Sequence, residues 1–221
     1  MTSPPPLRAD QLRRIEQSVI ADLKPVEQLA RPEVYLVGVA GVFAAVCALG
    51  AYLGAPRGWD ALGGVQRIAV FSLLVAAAAA LIFSIVRLMS PLAMHARSGI
   101  WIGAGIFGAL LSVFGVLFQP ASEHAFARNG LLCLRLGMLF AVPAGILFAL
   151  LLKRGAWLSP TLTGATAGAL AGLVGLTVLE IDCPNLNVYH IVVWHVSVIV
   201  ACIFLGFIFS SVTSRRWQSN P

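Results

Sequence analysis

Long apolar runs separated by short polar segments make up most of the chain after residue 33. Each run reaches the roughly 20 residues that an α-helix needs to cross about 30 Å of hydrocarbon. The runs are continuous and do not alternate between apolar and polar positions, which excludes the strands of a membrane β-barrel. We therefore predict an all-α, polytopic membrane protein built as a six-transmembrane-helix bundle. The predicted spans are about 34–54, 68–88, 99–118, 131–152, 162–181 and 188–212.

The composition supports this class and excludes two others. Of the 221 residues, 59% are hydrophobic and 11% are charged, and the mean hydropathy is +0.89. Ordinary soluble domains carry about 25% charged residues. This chain has too few charged side chains to cover a water-facing globule, so a soluble enzyme and a disordered chain are both excluded.

Lysines and arginines gather at alternate ends of the predicted spans. Eleven of the 15 lie in the N-terminal segment, the second-to-third and fourth-to-fifth connections and the tail, and four lie in the remaining connections and span ends. The positive-inside rule then makes both termini cytoplasmic. We expect a cytoplasmic segment 1–33, a transmembrane domain 34–214 and a cytoplasmic tail 215–221. The basic residues form no single patch, so we expect no direct contact with nucleic acid.

The N-terminal segment is predicted to contain a short amphipathic helix. Its apolar residues recur at spacings of three and four, the period of one helix face, at Leu12, Ile15, Val19 and Leu23. A helix that lies on a membrane surface usually has a basic polar face, whereas this segment balances five basic against five acidic residues. This balance favours a protein partner for the apolar stripe. Packing against the cytoplasmic face of the bundle itself is the alternative.

Small residues mark a helix contact in the fifth span. Gly164, Gly168 and Gly172 follow one another at four-residue spacing, so they line one face and allow another backbone to approach closely. That backbone belongs either to another helix of the same bundle or to a second copy of the chain. The oligomeric state is left open by the sequence.

Charged residues lie near the predicted outer end of the bundle. Arg135 lies in span four and Glu180 in span five, and a charge at this depth is costly unless it is paired. Since Glu180 is the nearest carboxylate at a similar depth, we expect the two to form an ion pair.

The four cysteines fall into two groups. Cys47 and Cys202 lie inside predicted spans, where cysteine behaves as a small apolar residue. Cys133 and Cys183 lie at outward helix ends and could form a disulfide if the compartment beyond the membrane is oxidising. Two buried free thiols are the alternative.

Two histidines of the sixth span, His190 and His195, are weak candidates for metal ligands. They and Cys183 lack a compact ligand spacing, and five residues along an α-helix place the two histidines about 140° apart. We therefore expect no metal and no other cofactor.

Familiar catalytic motifs are missing from the sequence, and so are carboxylates in the middle of the predicted spans. We therefore expect no enzymatic activity.

A thiol-redox membrane enzyme and a small polytopic transporter are the alternatives. The enzyme would need a second redox-active cysteine pair. The transporter would need a water-lined path through the bundle.

Three stretches resemble the NrsF-type membrane anti-sigma factors, the negative regulators of sigma F. They are QSVIADLKPVEQL at 17–29, CLRLGMLFAVP at 133–143 and the long stretch 154–195, which contains the glycine ladder, Cys-Pro and Trp-His. The resemblance implies a multi-pass protein of the bacterial inner membrane that acts in a stress response. Its N-terminal segment would hold an extracytoplasmic-function sigma factor inactive. It further implies a role for Cys133 and Cys183 in sensing an external signal, such as a thiol-reactive metal or a redox change.

Overall fold

The computed structural model describes residues 8–22, 31–89, 96–122, 124–153 and 159–218. These residues are mostly helical and contain no strand, which confirms the all-α class. The helices are α1 (Ala9–Asp22), α2 (Pro32–Leu53), α3 (Arg57–Ala61), α4 (Gly64–Leu88), α5 (Ala96–Leu117), α6 (Phe126–Leu152), α7 (Pro160–Asp182) and α8 (Val188–His190), followed by a π-helical turn (Ile191–His195) and α9 (Val196–Gln218).

Five helical segments of the described chain are long and apolar enough to cross a membrane: α2, α4, α6, α7 and Val188–Ser214. Helix α5 overlaps the predicted third span. Its apolar part Ala104–Leu117 is shorter than the length set for these five segments. The count of six spans therefore stays a prediction.

Helix α7 lies at the centre of the bundle. It has no polar face, which suits a helix enclosed by other helices or by lipid. In α7 every residue from Leu170 to Glu180 is buried. Helices α2, α4, α6 and α9 all pack against it.

The glycine ladder of α7 packs against α9 of the same chain. A Cβ atom on Gly168 would lie 2.2 Å from the carbonyl oxygen of Cys202, and one on Gly172 would lie 2.5 Å from the Cα of Ile199. On the α9 side, a Cβ on Gly206 would lie 2.2 Å from the carbonyl oxygen of Gly164. The chain's own helix therefore covers the face that a second copy would have needed.

Side-chain hydrogen bonds tie neighbouring helix ends together. The Gly63 N–H donates to Gln66 Oε1 over 3.0 Å at the start of α4, and Gln66 Nε2 donates to the carbonyl oxygen of Leu117 over 2.7 Å. The start of α4 is thereby fixed to the end of α5.

The loops expected to share the outward side meet at one end of the bundle. In the first loop, a Cβ on Gly58 of α3 would lie 2.6 Å from the carbonyl oxygen of Cys183. Asn187 in the last loop donates from Nδ2 to the carbonyl oxygen of Ala121 over 2.8 Å. Both contacts join different loops, so this end is a continuous structure.

The predicted N-terminal helix is present as α1, whose backbone includes Leu12, Ile15 and Val19. Leu23 lies outside the described residues.

Candidate functional site

Two cysteines and two histidines meet at the end of the bundle where the loops converge. Cys133 belongs to α6 and Cys183 follows α7, while His190 ends α8 and His195 ends the π-helical turn. One potential ligand atom from each lies within 4.8 Å of the other three. We call these four residues the Cys–His cluster.

Three of the four residues in the Cys–His cluster are in direct polar contact. The sulfur atoms of Cys133 and Cys183 are 3.5 Å apart. His190 Nε2 lies 3.3 Å from the Cys133 sulfur and 3.8 Å from the Cys183 sulfur. The two sulfur atoms are not joined in a disulfide in this arrangement.

The fourth residue, His195, is oriented by a carboxylate. Its Nδ1–H donates to Glu180 Oε1 over 2.8 Å, and His195 and Glu180 are only 1% and 3% exposed. An ionised carboxylate can only accept this hydrogen bond, so a proton is on Nδ1, and Nε2 can offer a lone pair to a ligand when the ring is neutral. That Nε2 atom is buried without a hydrogen-bond partner in the described structure.

The π-helical turn accounts for the meeting of the two histidines. Its backbone hydrogen bond runs from the Val196 N–H to the carbonyl oxygen of Ile191, five residues back. One turn of π-helix therefore spans the spacing from His190 to His195, and their ring centroids lie 5.3 Å apart. The expectation that these residues point about 140° apart is wrong because it assumed an uninterrupted α-helix.

Aromatic side chains surround the histidines. The Phe126 ring meets the His190 ring edge-on with centroids 6.3 Å apart, and it lies 5.8 Å from the Trp194 ring. Trp194 lies directly on the backbone of Gly130, where a Cβ would be 2.0 Å from the indole nitrogen. His190 and His195 are buried, whereas the cysteines are half-buried. The cluster is therefore closed on the histidine side and more accessible on the sulfur side.

The environment of Cys183 favours its thiolate form. The hydrogen bond with the Cys133 thiol is the main cause that lowers the pKa of Cys183, and the rings of His190 and His195 lower it further. Together these contacts outweigh desolvation, which raises the pKa. A lowered pKa makes a cysteine both a better metal ligand and a more reactive group.

The other two cysteines lie away from the cluster. Cys202 of α9 is buried, with its thiol 3.9 Å from the sulfur of Met138. Cys47 of α2 is partly buried against the hydrophobic core.

The expected ion pair of Arg135 with Glu180 is wrong. Arg135 is exposed, whereas Glu180 is buried and is bonded to His195. Similar depth along two helices does not bring two side chains together when they point in different directions around their helix axes, and a buried histidine offers the carboxylate a closer donor.

Sequence reasoning missed the residues that hold the last loop. Asn187 is buried and accepts the Tyr189 N–H at its Oδ1 over 3.1 Å, which caps α8. An asparagine just before a helical run is a recognisable N-cap signal. Asp182, the last residue of α7, is also buried and lies against Gly54, where a Cβ would be 2.1 Å from Oδ1.

The structure does not describe the side chains that are predicted to bind a sigma factor. Helix α1 carries Leu12, Ile15 and Val19, but their side chains, like Leu23 as a whole, are outside what the structure describes. Their role is a sequence-based prediction.

The chain matches a known sequence family. The sequence family described as "Negative regulator of sigma F" (NrsF) matches residues 20–217. Comparison with curated proteins and with solved structures gave no match.

Proposed function

The chain belongs to the negative regulator of sigma F family, and from this premise we propose that it is an integral inner-membrane anti-sigma factor. It holds an extracytoplasmic-function sigma factor inactive through residues 1–33 and releases it when an external signal acts on the opposite end of the bundle. The observation that carries the proposal is the family match, which extends from the end of α1 through the whole helical bundle.

The direction of α2 supports a separation between the sensing end and the binding end. Gly54, directly after α2, contacts Asp182, the residue before Cys183 of the cluster. Helix α2 has 22 residues, and a helix of this length extends roughly 33 Å. Pro32, the first residue of α2, therefore lies about one membrane thickness away from the Cys–His cluster.

The distribution of basic residues gives this separation an orientation. Because most lysines and arginines lie on the side of the termini, we place residues 1–33 in the cytoplasm, where a sigma factor is found, and the cluster on the outer side. A compartment reporter fused after Pro221 should then report cytoplasm, and one inserted within 121–128 should report the periplasm. A periplasmic C-terminus would contradict this topology.

The apolar stripe of the N-terminal segment is the surface we assign to the sigma factor. An amphipathic helix can bind a partner by laying such a stripe into an apolar groove. An aspartate in the stripe would place an unpaired carboxylate in that groove, which weakens binding because burying an unpaired charge is costly.

The test uses the full-length tagged protein, purified from native membranes, with the captured proteins identified by mass spectrometry. Wild type should capture a sigma factor of the extracytoplasmic-function class, Ile15→Asp should lose it, and deletion of residues 1–33 should lose it too. The control Gln17→Asp adds the same charge at an exposed position of α1 and should retain capture. Capture that survives Ile15→Asp would show that the stripe is not the contact surface. Capture that survives the deletion would refute the role of the whole segment.

A further inference from the structure

We propose that the Cys–His cluster is a metal-binding site of the Cys₂His₂ type for a thiophilic divalent ion such as Zn²⁺. The ligands would be the sulfur atoms of Cys133 and Cys183 and the Nε2 atoms of His190 and His195, with Glu180 orienting His195. This inference concerns coordination alone and does not rest on the proposed regulatory function.

The distances fit a tetrahedral ion. Bonds of about 2.3 Å to sulfur and 2.0–2.1 Å to nitrogen put the donor atoms of a tetrahedral zinc site roughly 3.4–3.8 Å apart. The sulfur-to-sulfur distance is 3.5 Å, and His190 Nε2 lies 3.3 and 3.8 Å from the two sulfurs. The fourth donor lies within 4.8 Å of the others. Small side-chain rotations would therefore complete the site.

The unpartnered nitrogen of His195 points to a ligand. Leaving a buried polar atom without a partner is costly, and its Nε2 is such an atom. A metal-ligating histidine almost always donates its other ring N–H to a carboxylate or carbonyl group, which fixes the tautomer. The hydrogen bond from His195 to Glu180 is an arrangement of this kind.

Charge balance favours a divalent ion. In the bound state both sulfur ligands are thiolates, and any thiol proton that remains is released to solvent, so the two sulfurs neutralise a charge of two. The cluster lies among apolar and aromatic side chains, including Phe126 and Trp194. A neutral metal–thiolate unit is better tolerated there than one with a net charge, because burying charge is costly.

The ligands come from separate parts of the fold. Cys133 lies on α6, Cys183 follows α7, and the histidines lie on the segment leading into α9. An ion would therefore link three helices at one end of the bundle. Since a site assembled from distant segments does not exist in the unfolded chain, the ion should also stabilise the fold.

The test is a titration of the full-length protein in detergent with Co²⁺, after reduction and removal of metals by a chelator. The expected result is one Co²⁺ per chain, with the visible bands of tetrahedral cobalt and a near-ultraviolet thiolate-to-cobalt band, both lost when Zn²⁺ is added. Zn²⁺ should also raise the melting temperature. Because this experiment contains no sigma factor, its outcome is independent of sigma-factor capture.

Matched variants assign the ligands. Cys133→Ser, Cys183→Ser, His190→Gln and His195→Gln should each lose the tetrahedral spectrum. Glu180→Gln should keep the spectrum and weaken binding about 10–100-fold, as outer partners of metal ligands do. The controls Cys202→Ser and His124→Gln change the same residue types outside the cluster and should bind as wild type does.

Any of three results would overturn the site. The first is the absence of a tetrahedral cobalt spectrum in reduced wild-type protein, a result that does not depend on the folding of a variant. The second is a cobalt spectrum of His195→Gln that equals the wild-type spectrum. The third is a Cys133–Cys183 disulfide in freshly isolated protein that carries no metal.

Discussion

His195 donates its Nδ1–H to Glu180 over 2.8 Å, and both side chains are almost fully buried. The contact joins the end of α7 to the π-helical turn before α9. The hydrogen bond gives the buried Nδ1–H its acceptor and fixes the orientation of the His195 ring.

Removing the carboxylate should therefore destabilise the fold. Glu180→Leu keeps a similar volume but leaves the His195 N–H buried and unpaired, at a cost of about 1–3 kcal/mol. The control Arg135→Leu makes the same replacement at an exposed position and should change stability by no more than about 0.5 kcal/mol. Unfolding in detergent, followed by circular dichroism, measures both. Equal losses in the two variants would instead favour the pairing of Arg135 with Glu180.

The glycine ladder gives a second prediction about stability. A side chain on Gly168 would collide with the carbonyl oxygen of Cys202, which is backbone and cannot rotate away. Gly168→Val should therefore separate α7 from α9 and cost about 1–3 kcal/mol, as overpacked substitutions do. Gly108→Val on α5 is the control, because nothing lies within 4 Å of its Cβ position. The same unfolding experiment compares them, and equal stability would contradict the close packing.

The helices could be predicted from the sequence because the signal for each is spread over about 20 residues. Continuous apolar runs gave the class, and the period of Leu12, Ile15 and Val19 indicated α1. Helix α3 was missed because its five residues are too few for a period to show. The central position of α7 was not predicted, because the lack of a polar face suits both a helix enclosed by other helices and one that faces lipid.

The site could be predicted only in part. Because successive spans cross the membrane in opposite directions, the sequence predicted that Cys133 and Cys183 lie at the same end of the bundle. The structure brings their sulfur atoms within 3.5 Å. The two histidines were predicted to point in different directions because no sequence period distinguishes a π-helical turn from an α-helix. The partner of Glu180 was misassigned because depth along a helix fixes one coordinate of a side chain and leaves its direction open.

The π-helical turn leads to a prediction about the length of the chain between the histidines. Val193 lies in this turn and is 44% exposed. Its removal should convert the π-helical turn to an α-helix. The two histidines would then be four residues apart, which is about one α-helical turn. They would still share a face, so Co²⁺ binding should persist. Inserting an alanine after Val193 separates them by six residues and should abolish the tetrahedral spectrum. The opposite pattern in the two variants would contradict the role of the π-helical turn.

The last prediction concerns the response to an external signal and rests on the proposed function. Cys133 and Cys183 are half-buried and adjacent, and the lowered pKa of Cys183 favours the thiolate, which is the more reactive form of a cysteine.

A reagent that caps or links these two sulfur atoms changes the contacts among α6, α7 and α8. This change releases the sigma factor only if it stabilises the sigma-free form of the protein more than the sigma-bound form. Cys133→Ser and Cys183→Ser should each abolish induction of a sigma-dependent reporter by thiol-reactive stress, with unchanged amounts of protein in the membrane. Cys47→Ser and Cys202→Ser should respond as wild type does, because those thiols lie within the bundle away from the cluster. A normal response in the Cys133→Ser, Cys183→Ser double variant would remove the cysteines from signalling and leave them a structural role.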